Sequence, residues 1–171
     1  MGKPHIWAFL LCMSVGLGSC NAENIKSEIL ENQELETITP IASDHAATAS
    51  FNENLQKWLE KGSKSYHYTY QNSCFCPRDY VRPLRATVKD GIISTYRYAD
   101  TSKAVPEAVK LKPATIVGVF KLIRQAISSN AASISTRYDP VNGAPLSVRV
   151  DYDRQAMDEE LSISLNDIVL R

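Results

Sequence analysis

The chain has 171 residues, with 19 Lys and Arg residues against 19 Asp and Glu residues. That length fits one domain with additional segments, since domains cluster at about 100–150 residues, and the balanced charge argues against a nucleic-acid-binding protein, which normally carries a basic stripe. Hydrophobic residues make up 44% of the chain, which is ordinary for a globular protein. No apolar run approaches the roughly 20 residues of a membrane-spanning helix, which excludes a multi-span transporter.

Residues 1–19 are predicted to be a lipoprotein signal peptide. A short start containing Lys3 precedes an apolar stretch at residues 6–17, and small residues follow it, a pattern typical of secretory signals. The sequence Leu-Gly-Ser-Cys at residues 17–20 resembles the lipobox of bacterial lipoproteins. That resemblance implies that Cys20 is acylated and becomes the first residue of the mature chain. The alternative is a plain signal peptide with an incidental cysteine.

The residue after Cys20 is Asn21 rather than Asp. In lipoproteins of the enterobacterial type, Asp at this position favours retention at the inner membrane, so the resemblance implies the outer membrane where the host has one. Several acyl chains on one cysteine give a stable anchor, because each buried methylene contributes about 0.8 kcal/mol and a single chain binds only marginally. We therefore expect a bacterial cell-envelope protein that is attached to the membrane through lipid on Cys20.

Residues 20–50 are predicted to be the acylated cysteine and a flexible acidic segment, the tether. Between residues 21 and 50 there are six acidic residues, one basic residue (Lys26) and no Phe, Trp or Tyr. Such a composition cannot bury enough apolar surface to offset the entropy lost on ordering. The alternative is a short helix over about residues 25–35, where apolar residues fall near helical spacing.

Residues 51–171 are predicted to be a single α+β domain. Apolar residues at helical spacing over 51–59 predict an amphipathic helix that ends near Gly62. The alternation of Tyr with polar residues over 66–71 then predicts a strand.

The rest of this domain repeats the same alternation of elements. Residues 84–89 and 92–98 alternate on either side of Asp90-Gly91, which is the strongest short hairpin signal. A second amphipathic helix begins near Ile116, and three further alternating runs follow it. The order of helix, three strands, helix and three strands predicts an antiparallel sheet of about six strands with both helices packed on one face.

Cys74 and Cys76 are the cysteines that remain once Cys12 leaves with the signal and Cys20 is acylated. An exported chain meets an oxidising environment, where two thiols this close are expected to oxidise. Residues two apart in an extended strand lie about 6.6 Å apart at Cα, near the upper end of the disulfide range of about 4.4–6.8 Å. A bridge therefore requires a local bend, which the following Pro77 favours.

Three interpretations of this cysteine pair stay open. The pattern favours a structural bridge that fixes the end of the first strand over a thiol–disulfide exchange site, because no helix signal follows Cys76 to activate a thiol. A metal site or another role is the third interpretation. Zinc shared with His67 is disfavoured, since the alternation places that side chain on the other strand face.

The remaining candidate binding residues also have structural explanations. Tyr66, Tyr68 and Tyr70 share a face that is a possible binding face, although an alternating aromatic face is more typical of a core. Acidic residues near the last strand pair are more typical of solvated loops than of a calcium site; they are Asp151, Asp153, Asp158, Glu159 and Glu160. We therefore expect no catalytic residue, no metal and no cofactor.

Several motifs occur together in a fixed order: a Trp-bearing helix, Tyr-x-Tyr, Cys-x-Cys, a strand ending in Asp-Gly, a Phe-bearing helix, and Tyr-Asp before a Gly-x-Pro turn. The residues that form them are Trp58, Tyr68, Tyr70, Cys74, Cys76, Asp90, Gly91, Phe120, Tyr138, Asp139, Gly143 and Pro145. This arrangement, over about residues 51–170, resembles the domain of unknown function 6174 family, which consists of exported bacterial proteins that include many lipoproteins. The chain departs from the family at Ala144, where an aromatic residue is usual.

The resemblance implies a location and a fold rather than an activity. Together with the lipobox, it leads us to expect a lipid-anchored envelope protein whose small non-enzymatic domain binds an unknown envelope protein or a small ligand, and not nucleic acid. The alternative is a periplasmic thiol–disulfide exchange protein that uses Cys74 and Cys76.

Overall fold

The computed structural model describes Ile38, residues 46–153, Gln155 and residues 160–171. The predicted signal peptide, Cys20 and most of the predicted tether lie outside these residues. Within the described ranges, no helix is both long enough and apolar enough to cross a bilayer.

The described residues form an α+β fold in the predicted order, with one additional short helix between the first two strands. The elements are α1 (Ala46–Lys61), β1 (Tyr66–Asn72), α2 (Arg78–Val81), β2 (Leu84–Lys89), β3 (Ile92–Tyr98), a 3-10 turn (Glu107–Val109), α3 (Ile116–Ser128), β4 (Ser133–Tyr138), β5 (Pro145–Asp151) and β6 (Leu161–Leu170). The helix α2 has four residues, which is too short for a hydrophobic periodicity to show in the sequence.

The six strands form one sheet in the order β3-β2-β1-β6-β5-β4, and every neighbouring pair is antiparallel. Each half of the chain contributes three consecutive strands that lie side by side. The two halves join where the first strand pairs with the last, with Tyr66 opposite Leu170. The prediction of an antiparallel sheet of about six strands is confirmed.

Both long helices pack on one face of this sheet, as predicted. The rings of Phe51 in α1 and Phe120 in α3 meet edge to face with centroids 5.8 Å apart. Trp58 of α1 makes a similar contact with Tyr66 of β1 at 5.6 Å. All four rings belong to one buried cluster with inward side chains of the strands, so the main core lies between the helices and the sheet.

The helix α1 begins at Ala46, before the predicted domain boundary at residue 51. The run Ala-Ala-Thr-Ala-Ser at residues 46–50 has no apolar periodicity, but Ala is the strongest helix former and extends α1 by a turn. Thr48 is buried, and Ile38 is buried in the core cluster. The expectation of a tether that reaches residue 50 is therefore wrong at these positions.

The connection between β4 and β5 lies close against α1. Asp139 organises it, since its Oδ1 accepts from the backbone N–H groups of Val141 at 2.8 Å and Asn142 at 3.0 Å. Gly143 follows with φ +77°, and a Cβ there would lie 2.2 Å from the carbonyl oxygen of Asn54. Both the backbone conformation and the space at this position therefore require glycine.

Candidate functional site

Cys74 and Cys76 form a disulfide just after β1, with their Cα atoms 5.2 Å apart. This distance is shorter than the spacing of an extended strand, so the chain bends between the two cysteines, as the predicted bridge requires. We call residues 73–77 the disulfide loop. All five residues of this loop are exposed, including both cysteines.

Hydrogen bonds hold the disulfide loop to the sheet on one side and to α2 on the other. The Ser73 N–H donates to the Ser162 carbonyl at 2.9 Å, which continues the pairing of β1 with β6. The Tyr80 N–H donates to the Pro77 carbonyl at 2.9 Å and starts α2. These contacts, with the bridge, give the loop a defined position.

Arg82 fixes the far end of α2. Its Nη2 donates to Asp100 Oδ1 at 2.7 Å and its Nη1 to Asp79 Oδ1 at 3.3 Å. The guanidinium carbon also lies 3.6 Å from the centroid of the Tyr98 ring, a cation–π geometry. The hydrogen bond from Arg82 lowers the pKa of the Asp100 carboxyl below its ordinary value. The segment that carries the disulfide loop is thus attached to β3 as well as to β1.

Phe75, between the two cysteines, is fully exposed. Tyr80 on α2 is also partly exposed. The Cys74–Cys76 bridge already restrains the backbone that carries this ring. A partner that buried the ring would therefore restrict few additional rotatable bonds, and binding would cost less conformational entropy. The geometry of this loop therefore suits recognition of a partner by Phe75.

Tyr66, Tyr68 and Tyr70 lie in the core, with exposures of 2%, 1% and 4%. The Tyr66 hydroxyl accepts from the Ile116 N–H at 2.9 Å, and the Tyr68 hydroxyl donates to the Ala114 carbonyl. These bonds attach the start of α3 to β1. The interpretation of the three rings as an exposed binding face is wrong, because the helices cover that face of the sheet.

Burial has a marked effect on the same three phenols. It raises the pKa of Tyr66 to about 12, and it raises the pKa values of Tyr68 and Tyr70 well above their ordinary value. The cause is the desolvation of a phenolate in an apolar core. The stripe of tyrosines is therefore structural and stays protonated at neutral pH.

The remaining candidates are possible metal ligands in the part of the chain that the structure describes, namely His67 and the acidic residues near the last strand pair. No group of three or more His, Cys, Asp and Glu side chains is arranged there to hold a metal ion. Asp158 and Glu159 of the acidic cluster lie outside the described residues, as does Cys20.

The exposed Phe75 was not singled out from the sequence. The available signal was its position between two cysteines that were already predicted to form a bridge. A bridge across one residue leaves that side chain little room to fold back onto the domain, which favours its exposure.

Comparison with known proteins agrees with the order of motifs in the sequence. A family model described as a family of unknown function, DUF6174, matches residues 50–170. Searches of the curated proteins and of the solved structures returned no significant match. The match covers the described fold from the second turn of α1 to the end of β6, including the disulfide loop, and the chain therefore belongs to the DUF6174 family.

Proposed function

We propose that this protein is a lipid-anchored cell-envelope protein whose domain is non-enzymatic and binds another envelope protein through the disulfide loop. The observation that carries the proposal is the full exposure of Phe75 on a backbone closed by the Cys74–Cys76 bridge. A protruding side chain fits a pocket on a protein partner, whereas a small ligand needs a concave site that surrounds most of its surface.

The energetics support a central role for this one residue. Burying a Phe side chain contributes about 1.5–3 kcal/mol, and a few such aromatic anchors dominate most interfaces. The Cys74–Cys76 bridge removes part of the conformational entropy that the loop would otherwise lose on binding. Tyr80 lies on the adjoining helix and supplies a second aromatic contact.

Phe75→Ala should lower the affinity for the partner at least about tenfold, as expected for loss of an interface anchor. The partner is first captured by cross-linking the intact protein in its own envelope, and its dissociation constant is then measured with purified variants. Val141→Ala is the matched control, because Val141 is 70% exposed but lies in the β4–β5 connection. Equal affinities of the Phe75→Ala variant and the unmodified protein would refute the proposed contact.

The anchor has its own test. Cys20→Ala should leave unprocessed precursor that takes up no palmitate label, because the acylated thiol is gone. Cys12→Ala is the control, since Cys12 lies within the predicted signal peptide and its loss should leave labelling unchanged. Palmitate labelling that persists in the Cys20→Ala variant would rule out the lipobox interpretation.

Thiol–disulfide exchange remains the second candidate, because both cysteines of the bridge are exposed to a reductant or client. In that reaction a client thiolate attacks one sulfur and forms a mixed disulfide. The second client thiol then attacks the mixed disulfide. The client is thereby oxidised to a disulfide, and Cys74 and Cys76 are reduced to two thiols.

The double variant Cys74→Ser/Cys76→Ser separates the two candidates. A binding domain that stays folded keeps its partner with reduced affinity, since Phe75 remains but its loop is less restrained. An exchange protein loses all activity toward a dithiol client. A mixed disulfide formed when the free Cys74 thiolate of the single variant Cys76→Ser attacks the disulfide of an oxidised client, releasing one client thiolate, would favour exchange.

A further inference from the structure

The face of the sheet opposite α1 and α3 is polar and cationic; we call it the open face. Its strands present five cationic side chains there, namely Arg85, Lys89, Arg97, Arg137 and Arg149. They present two acidic side chains, Asp151 and Asp167. The whole chain has a formal net charge of zero, so positive charge is concentrated on this face.

Four arginines on the open face lie in two groups. Arg85 of β2 lies directly opposite Arg97 of β3 in the strand register. On the other side of the sheet, Arg137 pairs with Ser147 and Arg149 pairs with Ser135, which makes these two arginines diagonal neighbours. Like charges in such positions destabilise a sheet unless an anion lies between them. Within the described residues, the ion pairs that are formed involve Lys57 and Arg82 and none of these four arginines.

The separation of the two groups indicates the size of the ligand. Between β2 and β5, the nearest strands of the two groups, lie β1 and β6, so the groups are at least about 14 Å apart at the usual strand spacing. The surface between them carries the hydroxyl and amide side chains of Thr69, Gln71, Ser162 and Ser164, together with Asp167, which accepts from the Thr69 hydroxyl. One small anion cannot contact both groups, whereas a surface that carries many anionic groups can.

We propose that the open face binds the phosphate groups of an anionic membrane surface. The planar guanidinium of Arg matches phosphate with paired hydrogen bonds, and serine and threonine hydroxyls add donors. A protein partner fits less well, because protein interfaces centre on aromatic and apolar anchors. On the described strands, the open face has Ile92 and Val169 as its large apolar side chains and no Phe, Tyr or Trp. This contact requires neither acylation of Cys20 nor Phe75, so it goes beyond the function proposed above.

The test uses the mature chain, residues 20–171, with Cys20→Ser so that no lipid contributes to binding. Its affinity is measured by co-sedimentation with vesicles of phosphatidylglycerol in phosphatidylcholine and with vesicles of phosphatidylcholine alone. At low ionic strength we expect at least about tenfold tighter binding to the anionic vesicles, and a loss of that preference as salt is added. Inorganic phosphate should compete no better than chloride at equal ionic strength.

Charge-neutralising variants locate the contact. Arg85→Gln/Arg97→Gln and Arg137→Gln/Arg149→Gln should each weaken binding to anionic vesicles about tenfold. Lys110→Gln/Lys112→Gln is the matched control, with the same change of charge on exposed residues outside the strands, and should change binding less than about twofold. If circular dichroism shows that a double variant does not fold, the single variants Arg85→Gln and Arg149→Gln are used in its place.

Three results would overturn the inference. The first is equal affinity for anionic and zwitterionic vesicles. The second is a loss of affinity for anionic vesicles in the control variant equal to that in the arginine variants, which would show a response to net charge alone. The third is competition specific to inorganic phosphate, which would indicate a discrete anion site. If the mature chain binds both kinds of vesicle equally but prefers anionic vesicles once Glu28, Glu31 and Glu34 are changed to Gln, the occupant of the open face is the chain's own acidic segment.

Discussion

Alkaline solution should unfold this protein steeply between about pH 10 and pH 12, because three phenols in its core resist ionisation. Tyrosine in an unfolded chain loses its proton near pH 10. Burial raises the pKa of Tyr66 to about 12 and raises the pKa values of Tyr68 and Tyr70 further. Below pH 10 both states hold these protons, and the full stability is present. Above it the unfolded state alone releases them, so the free energy of unfolding falls by about 1.4 kcal/mol per pH unit for each phenol, or about 4 kcal/mol for three.

Urea unfolding followed by circular dichroism at a series of pH values measures this slope. The ultraviolet absorbance of tyrosinate should rise together with the loss of structure rather than before it. Tyr70→Phe is the informative variant, since the Tyr70 hydroxyl bonds only to Asn72 Oδ1 at 2.8 Å among the described contacts. We expect a folded protein whose slope is smaller by about 1.4 kcal/mol per pH unit. Ionisation of the core tyrosines within an intact fold would contradict the prediction.

Gly143→Ala should destabilise the domain by about 3 kcal/mol or more, the range of substitutions that combine backbone strain with a clash. The new Cβ would lie 2.2 Å from the Asn54 carbonyl oxygen and 2.8 Å from the Cβ of Lys57, at a residue whose φ is +77°. Neither neighbour can turn away, because one is backbone and the other is the stem of a side chain on α1. The β4–β5 connection would have to move off the helix and lose its bonds to Asp139.

Chemical denaturation of the Gly143→Ala variant checks this prediction, and Gly118→Ala is the matched control. Gly118 lies in α3, where a Cβ would come no closer than 3.3 Å to the Thr115 hydroxyl. Helix propensity favours Ala there by up to about 1 kcal/mol, so the net change should stay within about 1 kcal/mol. An unchanged midpoint for Gly143→Ala would show that the connection is not held against α1 as described.

Most of the fold could be predicted because its signals are local. Strand alternation is visible without knowing what covers the sheet, and the hairpin at Asp90-Gly91 follows from two positive φ angles, 52° and 83°, that suit these residues. The start of α1 and the burial of Ile38 could not be predicted, because they depend on packing against elements that are distant in sequence. The polar composition around Ile38 favours a solvated segment, and one buried contact does not change that composition.

The candidate site was predictable only in part. The pairing of Cys74 with Cys76 follows from the predicted export signal and from the small number of cysteines. The role of the tyrosine stripe was open, because a strand has two faces and periodicity does not say which one the helices cover. The two groups of arginines depend on the sheet order, above all on the pairing of β1 with β6, which joins the most distant strands of the chain and leaves no sequence signal.

That pairing also determines when the domain can finish folding. Arg171, which directly follows β6, takes part in it, since the Arg171 N–H donates to the carbonyl of Ser65, just before β1, at 2.9 Å. A chain synthesised from its N-terminus therefore presents β1 with an unpaired edge until β6 has been made. Closing so long a loop makes folding slow, and an open edge pairs readily with other chains. Folding of this domain thus includes an interval of vulnerability to aggregation that ends only when β6 pairs with β1.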